Sequence, residues 1–534
     1  MGSVCARYGN GNMRMRSLIG HTIRATAACA LLVVAGPCMD VVRAAGRPGT
    51  AQRGRVIYNL DCSEFYVGTF GPVVPETIDK FVDEHAAAGV SDLFINVNAQ
   101  RTNYRSQVWE ALWDGYDPTL SDEQPFFAGL DPKRRFETAF FKATLKLHQM
   151  GCDYPQRMID RARHNQIKAW ISLRMNDGHN GHLTDHPSHN KLWKSHPEWR
   201  LAYGLDYEQP DVREYYLKLV REICDRYDID GLELDFVRFW LYFREGRQHL
   251  GVPLITAFIE EVHRAVRAAE QRVGHPVKLC VRVPSTPWIA KRHGLDAVTW
   301  AKTGLVDLIV VSPFWPSVDS DVPIETWKGL LIGTNVPIAV GLESGMHSGV
   351  ANRVVTPEEL RGVIASGLHR GADAVYFFNL FTSPYQRWPR VQHDSVIRDS
   401  GSLTALRAAP RRHPVTIKRP WAEGEPAKAR WLPHQGSGTF RIHIGPRPRA
   451  NQRTRVELVA VDHDQPLGVR LNGIACDSMG RMVPEHITAA GLEGPGDARH
   501  VYEAPAAAVS EGYNLIEITA PQHVEITWLE ISVR

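Results

Sequence analysis

Two carboxylates share one face of a short predicted strand in the stretch Asp230-Gly-Leu-Glu-Leu-Asp-Phe-Val-Arg238. Strand side chains alternate between the two faces, so Glu233 and Asp235 point the same way and the leucines point the other way. An acid on a strand that is buried on both faces is costly unless a partner or a ligand uses it. Ion pairs with Arg238 or Arg282 would explain the acids structurally. Two acids at the end of one strand favour a catalytic or ligand-binding role.

The elements that would position these acids are eight β-like runs, each followed by a helical pattern. The runs are Val56–Asp61, Asp92–Asn98, Ile167–Asn176, Gly231–Phe236, Val277–Pro284, Leu308–Pro313, Pro337–Glu343 and Ala374–Leu380. This alternation predicts an α/β fold, a (β/α)8 TIM barrel over residues 55–408. A doubly wound sheet is the alternative, but no glycine-rich turn follows the first run. The region exceeds the roughly 250 residues typical of the barrel, so long aromatic loops are expected after strands 2 and 3.

A polar residue stands at the C-terminal end of nearly every predicted strand. Taken strand by strand, these residues are Asn59 and Asp61, Asn96 and Asn98, Arg174 and Asn176, Glu233 and Asp235, Arg282, Ser312, Glu343, and Asn379. A barrel interior is otherwise filled by branched apolar side chains, so the agreement of eight strands predicts a ligand site at the mouth. Amide, carboxyl and guanidinium groups beside aromatic rings suit a ligand rich in hydroxyl groups. His179, just after strand 3, and Trp315, after strand 6, are expected to contact it.

Asp235 and Glu343 belong to strands 4 and 7, on opposite sides of the predicted ring. Glycoside hydrolysis needs one carboxyl group to protonate the leaving oxygen and another to attack the anomeric carbon or activate water. Arg174 and Arg282 would keep one carboxylate ionised, while a drier pocket would raise the pKa of the other. An open cleft between the two acids would support hydrolysis. If Glu343 points away, or if Arg238 and Arg282 fill the gap, structural acids and a protein that binds a glycan without cleaving it are favoured instead.

The strand-4 stretch also carries a family resemblance. It resembles the Asp-Gly-Ile-His-Leu-Asp-Asp-Ile-Arg motif of the bacterial glycosyl hydrolase-like family 10 proteins, and more loosely the strand-4 signature of α-amylase-type barrels. The opening strand, His196-Pro-Glu-Trp199 and Asp206-Tyr-Glu-Gln-Pro-Asp-Val-Arg213 are also similar to features of such proteins. The resemblance covers about residues 55–400. It implies exported TIM-barrel enzymes that act on glycans, including cell-wall polymers in some members.

By that match Asp235 is the position that a family member would use in chemistry, and Arg238 is its companion. Glu233 replaces the family's histidine, and Phe236 replaces its second acid. Asp235 is therefore predicted as nucleophile or charge stabiliser and Glu343 as general acid/base by position, with Glu233 next in line. The predicted substrate-binding residues are Asp61, Asn96, Asn98, Arg174, Asn176, His179, Arg238, Arg282, Trp315 and Asn379.

The N-terminal residues 1–45 have the pattern of an export signal. Basic residues precede the apolar run Ala25 to Ala35, and Val42-Arg-Ala-Ala-Gly46 offers small residues for cleavage. The run is shorter than the ~20 residues that a membrane span needs, so a secreted or periplasmic protein without stable membrane insertion is expected. A formal net charge of +3 over 534 residues gives no argument for nucleic-acid binding. Carbohydrate is the predicted partner.

Residues 413–534 differ in texture, because helical periodicity disappears and Gly and Pro separate short β-rich runs. This pattern predicts a C-terminal β-sandwich. Leu471-Asn-Gly473 and Glu511-Gly-Tyr-Asn-Leu-Ile-Glu-Ile518 resemble turns of jelly-roll or galactose-binding-like modules appended to glycosidases. A packing domain without a ligand fits the same pattern.

Four histidines lie in the loop after strand 3, between Asn176 and His189. His179 and His182 with Asp177 or Asp185 would allow a metal-dependent hydrolase or deacetylase. None of these spacings is typical of a metal site, and the cysteines form neither a zinc pattern nor a disulfide framework. A solvated or sugar-contacting loop is favoured, and no metal or cofactor is predicted.

Overall fold

The computed structural model describes residues 54–67, 72–131, 137–313, 318–347, 352–380, 388–415, 432–482 and 499–534. The predicted export segment and Trp315 lie outside these residues. Within them, no helix has both the length and the apolar character needed to cross a bilayer.

Eight parallel strands close into a barrel. They are β1 (Arg55–Leu60), β2 (Asp92–Asn96), β3 (Lys168–Arg174), β4 (Gly231–Asp235), β5 (Lys278–Pro284), β6 (Leu308–Ser312), β7 (Ile338–Leu342) and β8 (Ala374–Phe378). Neighbours in the chain pair in parallel, and β1 pairs with β8, Arg55 opposite Ala374 and Asn59 opposite Phe378. The pairing of first and last strands closes the ring, so the described sheet has no free edge.

Helices alternate with the strands around the barrel. In chain order they are α1 (Glu64–Val67), α2 (Pro75–Ala88), α3 (Thr138–Gln149), α4 (Tyr154–His164), α5 (Lys191–Ser195), α6 (Pro210–Arg226), α7 (Gly251–Val273), α8 (Pro287–Arg292), α9 (Ala297–Lys302), α10 (Ile324–Leu330), α11 (Pro357–His369), α12 (Arg390–Ser400) and α13 (Leu403–Ala408). Single 3-10 turns occupy Pro125–Phe127, Pro197–Trp199, Gln248–Leu250 and Ala506–Ala508, and a short hairpin joins Gly345–His347 to Asn352–Val354. Helices α2, α6 and α11 begin with proline, which fits a first turn that needs no N–H donor.

The lower interior of the barrel is apolar. Its buried side chains are Ile57, Phe94, Trp170, Cys280, Leu308, Val310, Ala339, Ala374 and Tyr376, and the cluster extends up to Phe378 beside Arg282 at the mouth. Position 231 must be glycine here, because a Cβ would lie 2.2 Å from the Trp170 ring. The indole N–H of Trp170 donates to Asp92 at 3.1 Å, which satisfies its only donor. The polar interior residues lie at the opposite, C-terminal end of the barrel.

The prediction for the interior face of strand 8 was wrong by one residue. Tyr376 and Phe378 face the interior, and Asn379 follows the strand with a left-handed φ of 55°. Strand β3 ends at Arg174, so Asn176 belongs to the loop beyond it. An apolar run with aromatic residues at adjacent positions gives no alternation from which to choose the face.

Two antiparallel sheets follow the barrel. Their strands are β9 (Arg411–Pro414), β10 (His434–Gln435), β11 (Gly438–His443), β12 (Thr454–Ala460), β13 (Gly468–Leu471), β14 (Ile474–Ala475), β15 (Asp477–Met482), β16 (Arg499–Glu503), β17 (Tyr513–Thr519) and β18 (Glu525–Val533). One sheet has the order β9-β18-β12-β16-β15 with β10 on β18, and the other has β11-β17-β13-β14. Burial alternates along β17, as in a strand with one face on a core. The predicted TIM barrel followed by a C-terminal β-sandwich is confirmed.

The sandwich packs on the barrel through β9 and α11. Arg412 donates from Nε and Nη2 to the two oxygens of Glu530 at 2.9 and 2.7 Å, and lies 3.4 Å from Glu359 of α11. A Cβ at Gly362 would lie 1.9 Å from the Arg412 carbonyl oxygen. The helix therefore meets the strand backbone directly.

Candidate active site

A single guanidinium joins the two acids predicted to face each other across the mouth. Arg282 of β5 donates from Nη1 to both oxygens of Asp235, at 3.2 and 3.1 Å, and from Nη2 to Glu343 Oε1 at 2.8 Å. Nη2 also donates to Ser312 Oγ at 2.9 Å. All four side chains are buried. The open cleft between the acids is therefore absent, because Arg282 fills the gap.

The guanidinium of Arg282 stays charged in this setting. Burial lowers its pKa, but Asp235 and Glu343 together raise it above the ordinary value. The group lies over the ring of Phe378, 3.7 Å from the centroid, which adds a cation–π contact. The backbone N–H of Val237 donates to Asp235 at 2.9 Å. Asp235 is thus held in a fixed orientation by three hydrogen bonds from two donor groups, Arg282 Nη1 and the Val237 N–H.

The Glu343 carboxyl group is less fully hydrogen-bonded than that of Asp235. Burial raises the pKa of Glu343 to about 7, although Arg282 and Arg238 act in the opposite direction. Arg282 binds its Oε1, whereas Oε2 is buried and has no hydrogen-bond partner among the described residues. Near neutral pH this carboxyl group can carry a proton on Oε2.

Glu233 lies one layer deeper in the barrel, on the same face as Asp235. Asn59 Nδ2 and Tyr376 Oη both donate to its Oε2, at 2.9 and 3.0 Å. Burial and then the negative charge of Asp235 raise the pKa of Glu233 to about 8. These effects favour the protonated form of Glu233 beneath the Arg282 cluster.

A second charged cluster extends from the first towards solvent. Arg174 donates from Nη2 to Asp61 and from Nη1 to Asp177, the latter at 3.1 Å. Burial raises the pKa of Asp61, but Arg174 and Arg238 outweigh it and hold that pKa at about 2. The pKa of Asp177 is lowered as well, with burial opposed by His179, Arg174 and Arg238.

His179 connects this cluster to solvent. Its Nδ1 lies 2.7 Å from Asp177 Oδ1, and its Nε2 lies 2.8 Å from Nη2 of Arg238. Because a guanidinium only donates, Nε2 must accept and the proton must sit on Nδ1. Burial, with a contribution from Arg238, lowers the pKa of His179 in spite of Asp177. The His179 side chain is 37% exposed, more than any other charged group of this cluster.

Three asparagines that were predicted to bind substrate form hydrogen bonds with the protein backbone instead. Asn96 donates to a β3 carbonyl at 3.0 Å, and Asn98 exchanges hydrogen bonds with the β3 backbone at 3.1 and 3.0 Å. Asn176 donates to the carbonyls of Leu205 and Leu241 and accepts from the Leu205 N–H. These amides fix the loops around the mouth, and both Asn98 and Asn176 have no side-chain atom left without a partner.

The mouth concentrates buried polar atoms that have no hydrogen-bond partner among the described residues. They are Asn59 Oδ1, Asn96 Oδ1, Arg174 Nε, Glu233 Oε1, Arg282 Nε, Glu343 Oε2 and Asn379 Oδ1. Native proteins pair nearly all buried polar groups, and exceptions tend to mark sites with a role. Donors and acceptors mixed in this way suit a polar, uncharged ligand.

Sequence reasoning missed Tyr376, Phe378 and Phe239. The first two are interior residues of β8, where the face was misassigned. Phe239 lies in the loop after β4 and contacts the edge of His179, with ring centroids 5.0 Å apart. Its position next to Arg238 was the only sequence signal available.

The histidine loop does not form a metal site. His179 is held between Asp177 and Arg238, and the ring nitrogens of His189 lie 3.0 Å from Gln100 Oε1 and 2.9 Å from the Leu183 carbonyl. His186 lies 2.7 Å from Ser188 Oγ. Among the described residues no group of three potential ligands is arranged around a metal position. Of the two histidines named for a metal site, His179 has other partners for both ring nitrogens, so the described residues give the metal-dependent alternative no support.

Neither a family model nor a curated protein matches this chain. Solved structures similar to it include α-L-fucosidase isoenzyme 2 from Paenibacillus thiaminolyticus, with a TM-score of 0.36, 13% identity, and coverage of 65% of this chain and 48% of that one. The chain thus spans about half the length of that fucosidase.

Two further similar structures have the same character. The PgaB (BpsB) glycoside hydrolase domain from Bordetella bronchiseptica gives a TM-score of 0.38 at 10% identity, over 66% of this chain and 99% of that one. The α-galactosidase AgaA from Geobacillus stearothermophilus gives a TM-score of 0.35 at 11% identity, over 91% of this chain and 56% of that one. At these values the matches carry no inference about activity.

Proposed function

We propose that this chain is an exported glycoside hydrolase that acts on an oligo- or polysaccharide at the C-terminal mouth of the barrel. One observation carries the proposal: a single guanidinium holds two carboxyl groups whose surroundings differ. Asp235 is bound through both oxygens, whereas Glu343 has one unpaired oxygen and a pKa raised to about 7. Titratable groups driven towards different protonation states are the usual basis for dividing acid and base roles.

Each acid takes one role in the proposed reaction. Glu343 donates a proton from Oε2 to the leaving glycosidic oxygen. Asp235, as the carboxylate, attacks the anomeric carbon or stabilises the oxocarbenium-like transition state while the bond to the leaving oxygen breaks. Glu343, now a carboxylate, then takes a proton from the water that adds to the anomeric carbon and releases the sugar, which restores both acids. Arg282 positions both groups, and the neutral Glu233 beneath them adds no second negative charge.

The second cluster is proposed to bind the sugar. Asp61, Arg174, Arg238 and His179 place acceptors and donors side by side at the mouth, and His179 is the exposed member of the group. Hydroxyl groups both donate and accept, so they can bridge such groups without a net charge on the ligand. Asn379 offers a further buried acceptor, Oδ1.

A second candidate function is glycan binding without cleavage. Arg282 in the gap between Asp235 and Glu343, together with the burial of all three, is the observation that favours it. A carboxylate fully engaged by a guanidinium is a poorer nucleophile than an open one. This candidate predicts sugar binding that survives isosteric replacement of either acid.

The two candidates are separated by turnover. Purified wild-type protein, Asp235→Asn and Glu343→Gln are incubated with a panel of glucans, xylan, chitin oligomers and aryl glycosides, and released reducing ends are quantified. A hydrolase predicts a loss on the order of 10²–10⁴-fold in Glu343→Gln, as for removal of a general acid. Asp235→Asn should lose at least as much.

The matched control is Asp92→Asn. Asp92 is another buried acid paired with an arginine, Arg55, but it lies at the N-terminal end of β2. It should lower stability and leave the turnover of the folded protein intact. Full activity in both Asp235→Asn and Glu343→Gln would refute the catalytic roles proposed for these acids, and sugar binding without turnover in wild type and all variants would establish the glycan-binding candidate.

A further inference from the structure

Tyr203 is a large aromatic side chain that stays exposed beside the candidate site. Its exposed fraction is 53%, the highest of any aromatic residue in the described part of the chain. It lies in the loop between β3 and α6, at the mouth end of the barrel. Single exposed tyrosine rings are common on protein surfaces. A binding role for Tyr203 therefore requires that its ring be held in place.

The backbone around Tyr203 is fixed by several contacts. Leu201 N–H donates to the Gly204 carbonyl at 2.8 Å, and Gly204 has a left-handed φ of 102°. A Cβ at Gly204 would lie 2.1 Å from Asn176 Oδ1, and one at Gly178 would lie 2.7 Å from Tyr203 Cα. Asn176 also binds the Leu205 backbone in both directions. The turn is thus locked against the end of β3.

The ring is fixed as well. Tyr203 stacks on Phe239, with centroids 5.6 Å apart and planes inclined by 16°. Phe239 in turn contacts the edge of His179, which binds Asp177 and Arg238. Phe239 therefore backs one face of the Tyr203 ring in an offset stack, while 53% of the residue stays exposed.

We infer that Tyr203, backed by Phe239, forms an outer subsite that stacks against a pyranose ring. The ligand of the barrel mouth is then an oligosaccharide chain of which at least one sugar lies outside the buried site. A flat aromatic ring with a polar tip matches the C–H face and the hydroxyl rim of such a sugar. The inference rests on the proposed carbohydrate ligand, but it does not require cleavage.

The test compares long and short ligands. Isothermal titration calorimetry is run with the hexa- and disaccharides of β-1,3-glucan, β-1,4-glucan, β-1,4-xylan, α-1,4-glucan and β-1,4-linked N-acetylglucosamine. The proteins are wild type, Tyr203→Ala and Tyr203→Phe, with Tyr513→Ala as the control, because Tyr513 is an exposed tyrosine of the sandwich. Cleavage in the same samples is followed by chromatography.

We expect Tyr203→Ala to lower the ratio of hexasaccharide to disaccharide affinity about five- to tenfold, the size of one aromatic stacking contact. Tyr203→Phe and Tyr513→Ala should keep the wild-type ratio, and both Tyr203 variants should melt within a few degrees of wild type. An unchanged ratio in Tyr203→Ala, or no hexasaccharide binding to wild type at millimolar concentration, would overturn the inference. Tyr203-dependent binding without cleavage would refute only the hydrolase.

Discussion

The donors that reach each carboxyl group, rather than burial alone, control the acids of the mouth. Glu233 and Glu343 are both fully buried, and their pKa values are raised to about 8 and about 7. Asp61, equally buried, has its pKa held at about 2 because Arg174 contacts it directly. The difference lies in how many donors reach each carboxyl group, since Glu233 and Glu343 each retain an unpaired oxygen.

The raised pKa of Glu233 predicts a pH dependence of stability. The unfolded carboxyl group titrates near pH 4.3, so between about pH 4 and pH 8 the folded state binds the additional proton. This contribution to stability is fully present below about pH 4.3 and is lost as pH rises through 8. In Glu233→Gln this pH-dependent loss of stability, which is on the order of a few kcal/mol in wild type, should be absent.

Urea unfolding from pH 5 to pH 9 measures this difference. The Glu233→Gln profile should be flatter than the wild-type profile, and the exposed Glu260→Gln should follow wild type. Parallel profiles for wild type and Glu233→Gln would show that Glu233 does not stay neutral in the folded protein.

Sequence periodicity predicted much of the mouth at this scale. Alternation by two placed Glu233, Asp235 and Arg282 on the interior face, where the structure has them. It could not predict that Arg282 reaches both Asp235 and Glu343, because the reach of a long side chain depends on its rotamer. Their catalytic roles remain predictions.

At the scale of elements, strand β4 can pack against the Trp170 ring only because position 231 is glycine. Gly231 leaves room for the Trp170 ring, which closes the lower barrel beneath the Glu233 layer. The predicted run Gly231–Phe236 differs from the observed strand by one residue. Strand 8 was harder, since Tyr376, Phe377 and Phe378 are aromatic on both faces.

Gly231→Ala should destabilise the protein by about 1–3 kcal/mol, the usual cost of overpacking a core. The added methyl group would lie 2.2 Å from Trp170. Gly329→Ala is the matched control, because Gly329 lies in α10 with no atom near its Cβ position. There alanine should be neutral or stabilise by up to about 1 kcal/mol. Equal unfolding midpoints in denaturant for the two variants would contradict this account.

At the scale of the whole molecule, barrel and sandwich share one apolar core. Leu360 of α11 and Val456 of β12 belong to the same buried cluster. The ion pair between Arg412 and Glu530 lies beside it, and Arg499 donates to Glu530 at 2.8 Å. We therefore expect the two parts to unfold together.

Glu530→Gln should lower the free energy of unfolding by about 3–5 kcal/mol, because it leaves buried guanidinium groups without their charge partner. Burial raises the pKa of Glu530, but Arg412 and Arg499 outweigh it and hold that pKa at about 2. The stability it provides is full above about pH 4.3 and is lost as pH falls towards 2. Calorimetry at pH 7 and pH 3 should show one transition and a smaller difference at pH 3. Two separate transitions would contradict a shared core.

The closed ring has a consequence for how the chain reaches its native state. Strand β1 lies between β2 and β8, and Tyr58 Oη donates to the Leu380 carbonyl at 2.6 Å, 322 positions away in the chain. Bringing such distant segments together costs loop-closure entropy before the contacts repay it, so closure is a slow, late event. Until β8 docks, β1 and β7 each present a row of unpaired backbone groups that can template pairing with another chain. The interval before closure is therefore when aggregation competes most strongly with folding.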